Sequence, residues 1–380
     1  MSSFYLMRKD IPVCEFDVRT ITENRVTVEL IRVFDEKRMP LETQIEPNIA
    51  HYLIDRLAPT IYGYLGCSVL LNGKPIATRL ENIIDYTGGF SLIDDFWMMR
   101  KEGSTRTWNE SNLYNNDIDG TVAGLSFSSE GTYEITEFVR SPEFTTDGMV
   151  DKAWRRIEGT TYLYKAGLPW KGSYGTEQFS EFYAEQIAEN LHLNYVNYTL
   201  DVWMGKLCSV CELFTSERHS YIAAGKLSFD INSFIRSLDR NSDLYQNIAD
   251  TILFDALAMN MRHLGNFGFI QDNDTLDIVG IAPIFDNGMA LFGDIPNREL
   301  RNPEFSSVYY FLSNRKYDRA KPGEIKALLT ERQRKLAKEM IGFKFKRHRE
   351  YNLKDERLEL LESIIQTRAQ YLSGPCDSQR

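Results

Sequence analysis

Asn266 and Asp286 bracket two apolar runs that read as the strands of one hairpin: FGFI follows the asparagine, QDNDT supplies a turn, and LDIVGIA leads back to the aspartate. Asx-rich tetrads and pentads of this kind turn the chain because their short polar side chains bond to nearby backbone. Pairing the two strands brings a carboxamide and a carboxylate to one end of the hairpin. Few other placements satisfy the hydrophobic pattern, so this segment constrains the fold more than any other. The stretch before it, from Phe254, reads as the end of a helix followed by a loop, and Asp286-Asn287-Gly288 reads as a turn after a buried strand.

Asn266 and Asp286 both offer hard oxygen ligands, which suit Mg²⁺ when phosphates and water complete its shell. Phosphoryl transfer asks for such ligands, for a lysine facing the phosphates and for a carboxylate that orients the attacking hydroxyl. In protein kinases that acidic base stands five residues before the metal-binding asparagine. Here the count reaches Met261, whose thioether cannot accept a hydroxyl proton. Asp255 lies farther upstream in a helix-like stretch and belongs to that helix. Arg262 and His263 are expected to shape the loop by hydrogen bonding.

The lysine has a candidate. Residues 141–165 read as a turn followed by two strands joined at Glu158-Gly159, and Thr161 to Lys165 alternate toward Lys165. A helix is predicted from about Glu177 to Leu191, with Thr176 as N-cap and Phe179, Tyr183, Ile187 and Leu191 on one stripe. It carries Glu181 and Glu185, either of which can hold a strand lysine toward the α- and β-phosphates. Upstream, Thr145, Thr146, Asp147 and Gly148 form a TTDG loop whose backbone N–H groups can face phosphate because glycine lets the chain approach closely.

A length of 380 residues exceeds one usual hydrophobic core, so two or three packed units are expected. In the first 140 residues, RVTVEL reads as a half-buried strand with Val26, Val28 and Leu30 inward, and Asn72-Gly73 reads as a hairpin turn. The aromatic, turn-rich residues 94–118 are a candidate surface for docking on the next domain. Beyond CELFT, at residues 211–215, the pattern turns helical; the last helix, from about Lys354 to Leu372, buries Leu358, Leu361, Ile365 and Leu372 and stops at Gly374-Pro375.

The net charge of −10 opposes general attraction to nucleic acid or an anionic membrane. Residues 331–350 run against that trend, with eight Lys or Arg to three Glu, and are expected to form a solvated helix face. Five cysteines, and an N-terminal MSSFYLMRKD without an apolar core, make a reducing cytoplasm the expected compartment. Cys208 and Cys211 form a CxxC inside a strand-like run and are expected to pack in the core. No apolar run is long enough to cross a bilayer.

Taken in order, SPEFTTDGM, YLYKAG, SEFYAEQIA, CELFT, RHLGNFGF and PIFDNG resemble the HipA-like family of bacterial serine/threonine kinases over about residues 141–292. The resemblance implies an α+β, bilobal protein-kinase-like fold with an additional N-terminal α/β domain. Its divisions would be an N-terminal domain at 1–140, a small lobe at 141–215 with the phosphate loop and ATP lysine, and a helical large lobe at 216–380. It further implies ATP held with Lys165 on the α- and β-phosphates, Asn266 and Asp286 on Mg²⁺, the TTDG loop over the phosphates, and Glu212 and Phe214 beside adenine. Thr145 or Thr146 would be the hydroxyl that receives a regulatory phosphate. The family's DRHxGN string carries an Asp directly before Arg-His, whereas this chain has Met261 there, by substitution or by loss of one residue. The expectation is therefore a kinase-fold protein that binds ATP and Mg²⁺ with impaired phosphoryl transfer, a pseudokinase. The alternatives are an active serine/threonine kinase using another base, and a regulatory module that binds a protein partner through its N-terminal domain and residues 331–350. No direct nucleic-acid or membrane contact is expected.

Overall fold

The computed structural model describes residues 2–22, 25–148, 150–167, 175–227, 231–260, 264–293, 295–302 and 322–375. Helices and strands alternate along the chain, giving a mixed α and β protein. It divides into two compact units. The first joins Met1–Tyr164 to Leu213–Ile222 and Gln271–Ile278; the second takes Lys165–Glu212, Ala223–Ile270 and Val279–Arg380.

The first unit is built on an antiparallel sheet in the order Arg25–Val33, Ile11–Thr22, Ser2–Arg8, Phe96–Arg100. Strand side chains alternate between faces, and here both faces are covered. Phe4, Leu6, Phe96 and Met98 join one core with Leu53, Leu57, Ile83 and Ile84, which come from the helices Ile49–Tyr62 and Leu80–Thr87. Their neighbours Met7 and Trp97 enter a second core with Phe90, Trp108 and Leu113. The aromatic residues of 94–118 thus pack inside this unit.

Val26 and Val28 pack against the first core as their alternation predicts, but Leu30 is 41% exposed. Arg25–Val33 is an edge strand whose register slips between Glu15 and Phe16, leaving Ile31 as an extra residue. Such a bulge breaks the alternation locally and re-aims the side chains beside it. At Asn72-Gly73, φ values of +52° and +71° make the two-residue turn that pairs Leu71 with Lys74. Glu158 and Gly159, at +50° and +84°, turn the chain from the strand Lys152–Ile157 into Thr160–Ala166.

The second unit is mainly helical, with one long hairpin of its own, Tyr198–Trp203 against Lys206–Glu212. Cys208 and Cys211 are both buried on that second strand, and an odd spacing of three sends them to opposite faces. The helix Asp243–Ala258 is enclosed, with Asp255 fully buried within it, and ends at Met259 in the left-handed region. The final helix, Asp355–Ser373, buries Leu358, Leu361, Ile365 and Leu372 as its periodicity predicts. Its Arg368 is wholly buried and donates to the Ala256 carbonyl at 3.3 Å, near the C-terminal end of the enclosed helix.

Candidate functional site

Four side chains far apart in sequence meet in the second unit. Lys165 lies at the end of the strand Thr160–Ala166, and its ammonium donates to Glu181 Oε1 at 3.0 Å and to Asp286 Oδ1 at 2.6 Å. Glu181 stands one turn into the helix Glu177–Asn190. Asn266 closes a short 3₁₀ turn, Leu264–Asn266, and its Nδ2 donates to Asp286 Oδ2 at 2.6 Å. The chain between Asn266 and Asp286 runs through the strands Gly268–Asp272 and Ile278–Ile281. At the base of this hairpin, the Ala282 N–H bonds to the Gly268 carbonyl. That pairing is what returns the aspartate to the asparagine.

The helix forms where the sequence predicts, but Thr176 does not cap it with its side chain: the hydroxyl donates to the Gly293 carbonyl at 2.9 Å instead. Of the two candidate glutamates, Glu181 takes the lysine. Glu185, one turn on, accepts from the Tyr198 backbone N–H. Glu181 has a second bond, from the Asn287 N–H at 2.6 Å to its Oε2, so one carboxylate ties the lysine to the turn that carries Asp286.

Burial dominates the electrostatics here. The Lys165 side chain is 13% exposed and that of Glu181 only 2%, while Asp286 keeps 39% of its surface in solvent. Burial works against the Lys165 ammonium, but the carboxylates of Asp286 and Glu181 outweigh it and raise its pKa. Burial raises the Glu181 carboxyl, with Lys165 pulling the other way. Glu185 is pushed up to about 8, again chiefly by burial.

Asp286 and Asn266 are the residues here that could offer oxygens to a divalent cation. A half-turn of the Asn266 amide exchanges its nitrogen for its oxygen, which leaves two hard oxygens side by side. A cation entering there competes with Lys165 for Asp286. Among the described residues, no group of three or more His, Cys, Asp or Glu side chains is arranged to hold a metal ion without such outside ligands.

The remaining predicted residues are divided between the two units. Thr145, Thr146, Asp147 and Gly148 lie in the first unit. The Thr145 hydroxyl donates to the Phe90 carbonyl at 2.8 Å, and that of Thr146 donates to the Pro142 carbonyl at 2.7 Å while accepting from Trp154 Nε1 at 3.0 Å. Asp147 and Gly148 are exposed, Gly148 at φ +127°, and they line a cleft of about 450 Å³ with Tyr62, Lys152 and Trp154. Glu212 is exposed at the end of its strand in the second unit. Phe214 belongs to the first unit, packed edge-on to Tyr221 at 5.7 Å. Met261, with Arg262 and His263, lies outside the described residues.

The basic segment is largely neutralised by its own surroundings. Arg332 pairs with Asp250, Lys344 with Glu362, Lys346 with Glu189, Arg347 with Asp355, and Arg349 with Glu350. Five of its eight Lys or Arg thus meet acids within the second unit, but the helix spans only Glu331–Glu339, and Phe343 and Phe345 beyond it are buried, so the expected helical face holds for the first half of the segment alone. Among the described residues, no helix is long and apolar enough to cross a membrane.

Sequence reasoning missed Tyr198 and Asn260. The Tyr198 hydroxyl accepts the Asp286 N–H at 3.0 Å, and Asn260 Nδ2 donates to Asn287 Oδ1 at 3.1 Å. Nothing in the local pattern marks either: Tyr198 reads as an ordinary strand aromatic, and Asn260 as a loop residue.

No protein-family model matches the sequence, and no curated protein matches it. Among solved structures the chain is similar to the proinflammatory kinase CtkA of Helicobacter pylori, with 18% identity over 60% of this chain and 92% of that one, at a TM-score of 0.42. It is also similar to the Shewanella oneidensis MR-1 toxin–antitoxin system of HipA and HipB solved with its operator DNA, with 11% identity over 97% and 96% of the two chains, at a TM-score of 0.46.

Proposed function

We propose that this chain is a HipA-like, kinase-fold protein that binds ATP with Mg²⁺ and is impaired in transferring the γ-phosphate to a serine or threonine. One observation carries the reading: Lys165 is bonded at once to Glu181 of a neighbouring helix and to Asp286, which in turn meets Asn266. A strand lysine paired with a helix glutamate, beside an aspartate and an asparagine able to hold metal, is the working arrangement of protein kinases. Lys165 would hold the α- and β-phosphates, and Asp286 and Asn266 the cation. Bound Mg²⁺ would neutralise the phosphates. Glu181 orients the lysine and, through the Asn287 N–H, the turn bearing Asp286.

The impairment follows from the absent base: five residues before Asn266 the sequence has Met261, by substitution or by loss of one residue, and a thioether cannot take a proton from a hydroxyl. Loss of a general base costs about 10²- to 10⁴-fold in rate, because positioning and charge stabilisation supply the rest. The test is a nucleotide titration with and without Mg²⁺, followed by phosphate transfer measured on the same sample. ATP with Mg²⁺ at about 100 times its dissociation constant should stabilise the fold by about 2.7 kcal/mol. If Met261 replaces the aspartate, Met261→Asp should raise transfer by about 10²- to 10⁴-fold; if one residue was lost, inserting Asp between Met261 and Arg262 should do so instead. An unchanged melting temperature at millimolar ATP and Mg²⁺ would refute the site. Wild-type transfer at an ordinary kinase rate of roughly 1–100 per second would refute the impairment.

A further inference from the structure

The geometry points to Tyr198 as the positioning residue of Asp286: its phenol oxygen holds the backbone from which that carboxylate reaches a cation. The role rests on the nucleotide and magnesium reading above. Asp286 has φ +55°, a left-handed conformation that costs a non-glycine residue energy unless its surroundings enforce it. Two consecutive N–H groups do the enforcing. That of Asp286 donates to Tyr198 Oη at 3.0 Å, and that of Asn287 donates to Glu181 Oε2 at 2.6 Å.

Tyr198 is itself firmly placed. It is 3% exposed and opens the strand Tyr198–Trp203, where it pairs with Cys211. Its backbone N–H bonds to Glu185. Strand pairing and Glu185 thus fix the backbone of Tyr198, burial confines its ring, and the phenol oxygen holds the turn. Partners that orient a metal ligand are typically worth about 10- to 100-fold in metal affinity. Glu181 cannot supply this alone, because it grips the following residue.

Tyr198→Phe keeps the ring and removes only the hydroxyl. Two measurements on the full chain test the role. In the nucleotide-free protein, hydrogen exchange at the Asp286 amide should quicken by at least about tenfold, while the Ile284 amide, bonded to the Asn194 carbonyl, should keep its rate. In a thermal titration at fixed ATP, the Mg²⁺ midpoint should rise by about tenfold or more, with ATP binding in the absence of Mg²⁺ unchanged. Unchanged exchange at Asp286, an unmoved Mg²⁺ midpoint, or equal losses with and without Mg²⁺ would each overturn the assignment. A wild-type protein that shows no Mg²⁺-dependent response would instead sink the underlying reading, whatever the exchange result.

Discussion

Each unit of the molecule holds a buried ion cluster, and the two are finished differently. In the first unit the five N–H donors of Arg56 are all matched: two bonds go to Asp94 at 2.7 and 2.9 Å, and the others go to the Gly89 and Phe96 carbonyls and the Tyr52 hydroxyl. The pair is 5% and 13% exposed. Nearby, Arg8 grips Asp95 at 2.9 Å, and the same guanidinium bonds to Gln271 and Asn273, which secures the segment Gln271–Ile278 to this unit. Burial still lifts the Asp95 carboxyl to about 6, against the pull of Arg8. These clusters are closed. In the second unit Lys165 and Glu181 are equally enclosed, but Asp286 stays 39% exposed, so the cluster has one carboxylate that an incoming ligand can reach. Ion networks perturb titration whether or not they do chemistry. The two clusters differ in whether one charged group remains open to solvent.

That contrast breaks if the two clusters respond alike to losing a member. Arg56→Ala leaves Asp94 without its counter-ion and should cost about 3–5 kcal/mol in urea unfolding. Asp286→Asn, at a half-open position, should change unfolding by about 1 kcal/mol or less yet remove most of the proposed stabilisation by ATP and Mg²⁺. An Arg56 variant as stable as the wild type would show that the closed cluster is not a brace. An Asp286 variant that kept its full ligand response would show that the open one is not a site.

Acid–base behaviour sharpens the same comparison. Glu143, in the first unit, accepts from the Ser141 hydroxyl at 2.5 Å and the Trp154 N–H at 2.8 Å, and burial lifts its carboxyl from 4.5 to about 7. The folded chain therefore holds a proton that the unfolded chain has already released between about pH 4.5 and 7. The stability this brings is complete below about pH 4.5 and is lost as pH rises through 7. Glu143→Gln mimics the protonated acid, so it should flatten this decline and leave the variant more stable at pH 8 by on the order of 2–3 kcal/mol. Unfolding free energies measured from pH 5 to 8 decide it, and parallel curves for the two proteins would refute it.

The smallest effect belongs to the surface. Arg332 is half exposed beside Asp250, and Arg332→Ala should shift unfolding by no more than about 1 kcal/mol. A larger loss would mean that the basic segment braces the second unit instead of forming a solvated face.

The sequence by itself determined the parts governed by short-range rules. Turn chemistry predicted the hairpins at Asn72-Gly73 and Glu158-Gly159 and the one between Asn266 and Asp286. Period 3.6 marked the helices at Glu177–Asn190 and Asp355–Ser373, and residue chemistry picked out Lys165, Asn266 and Asp286. What only the tertiary structure decided involves choices that local pattern leaves equal. Glu181 and Glu185 lie four residues apart on one helix face, and only the packing of the strand bearing Tyr198 sends the lysine to the first and a backbone N–H to the second. Leu30 alternates perfectly in sequence, yet a bulge on an edge strand turns it to solvent. Tyr198 becomes the acceptor for the Asp286 N–H because a left-handed turn comes to rest at its hydroxyl, 88 residues away. Periodicity and turn propensity act within a few residues, whereas the partners of a buried charge are fixed by whichever distant groups the core brings within hydrogen-bond reach.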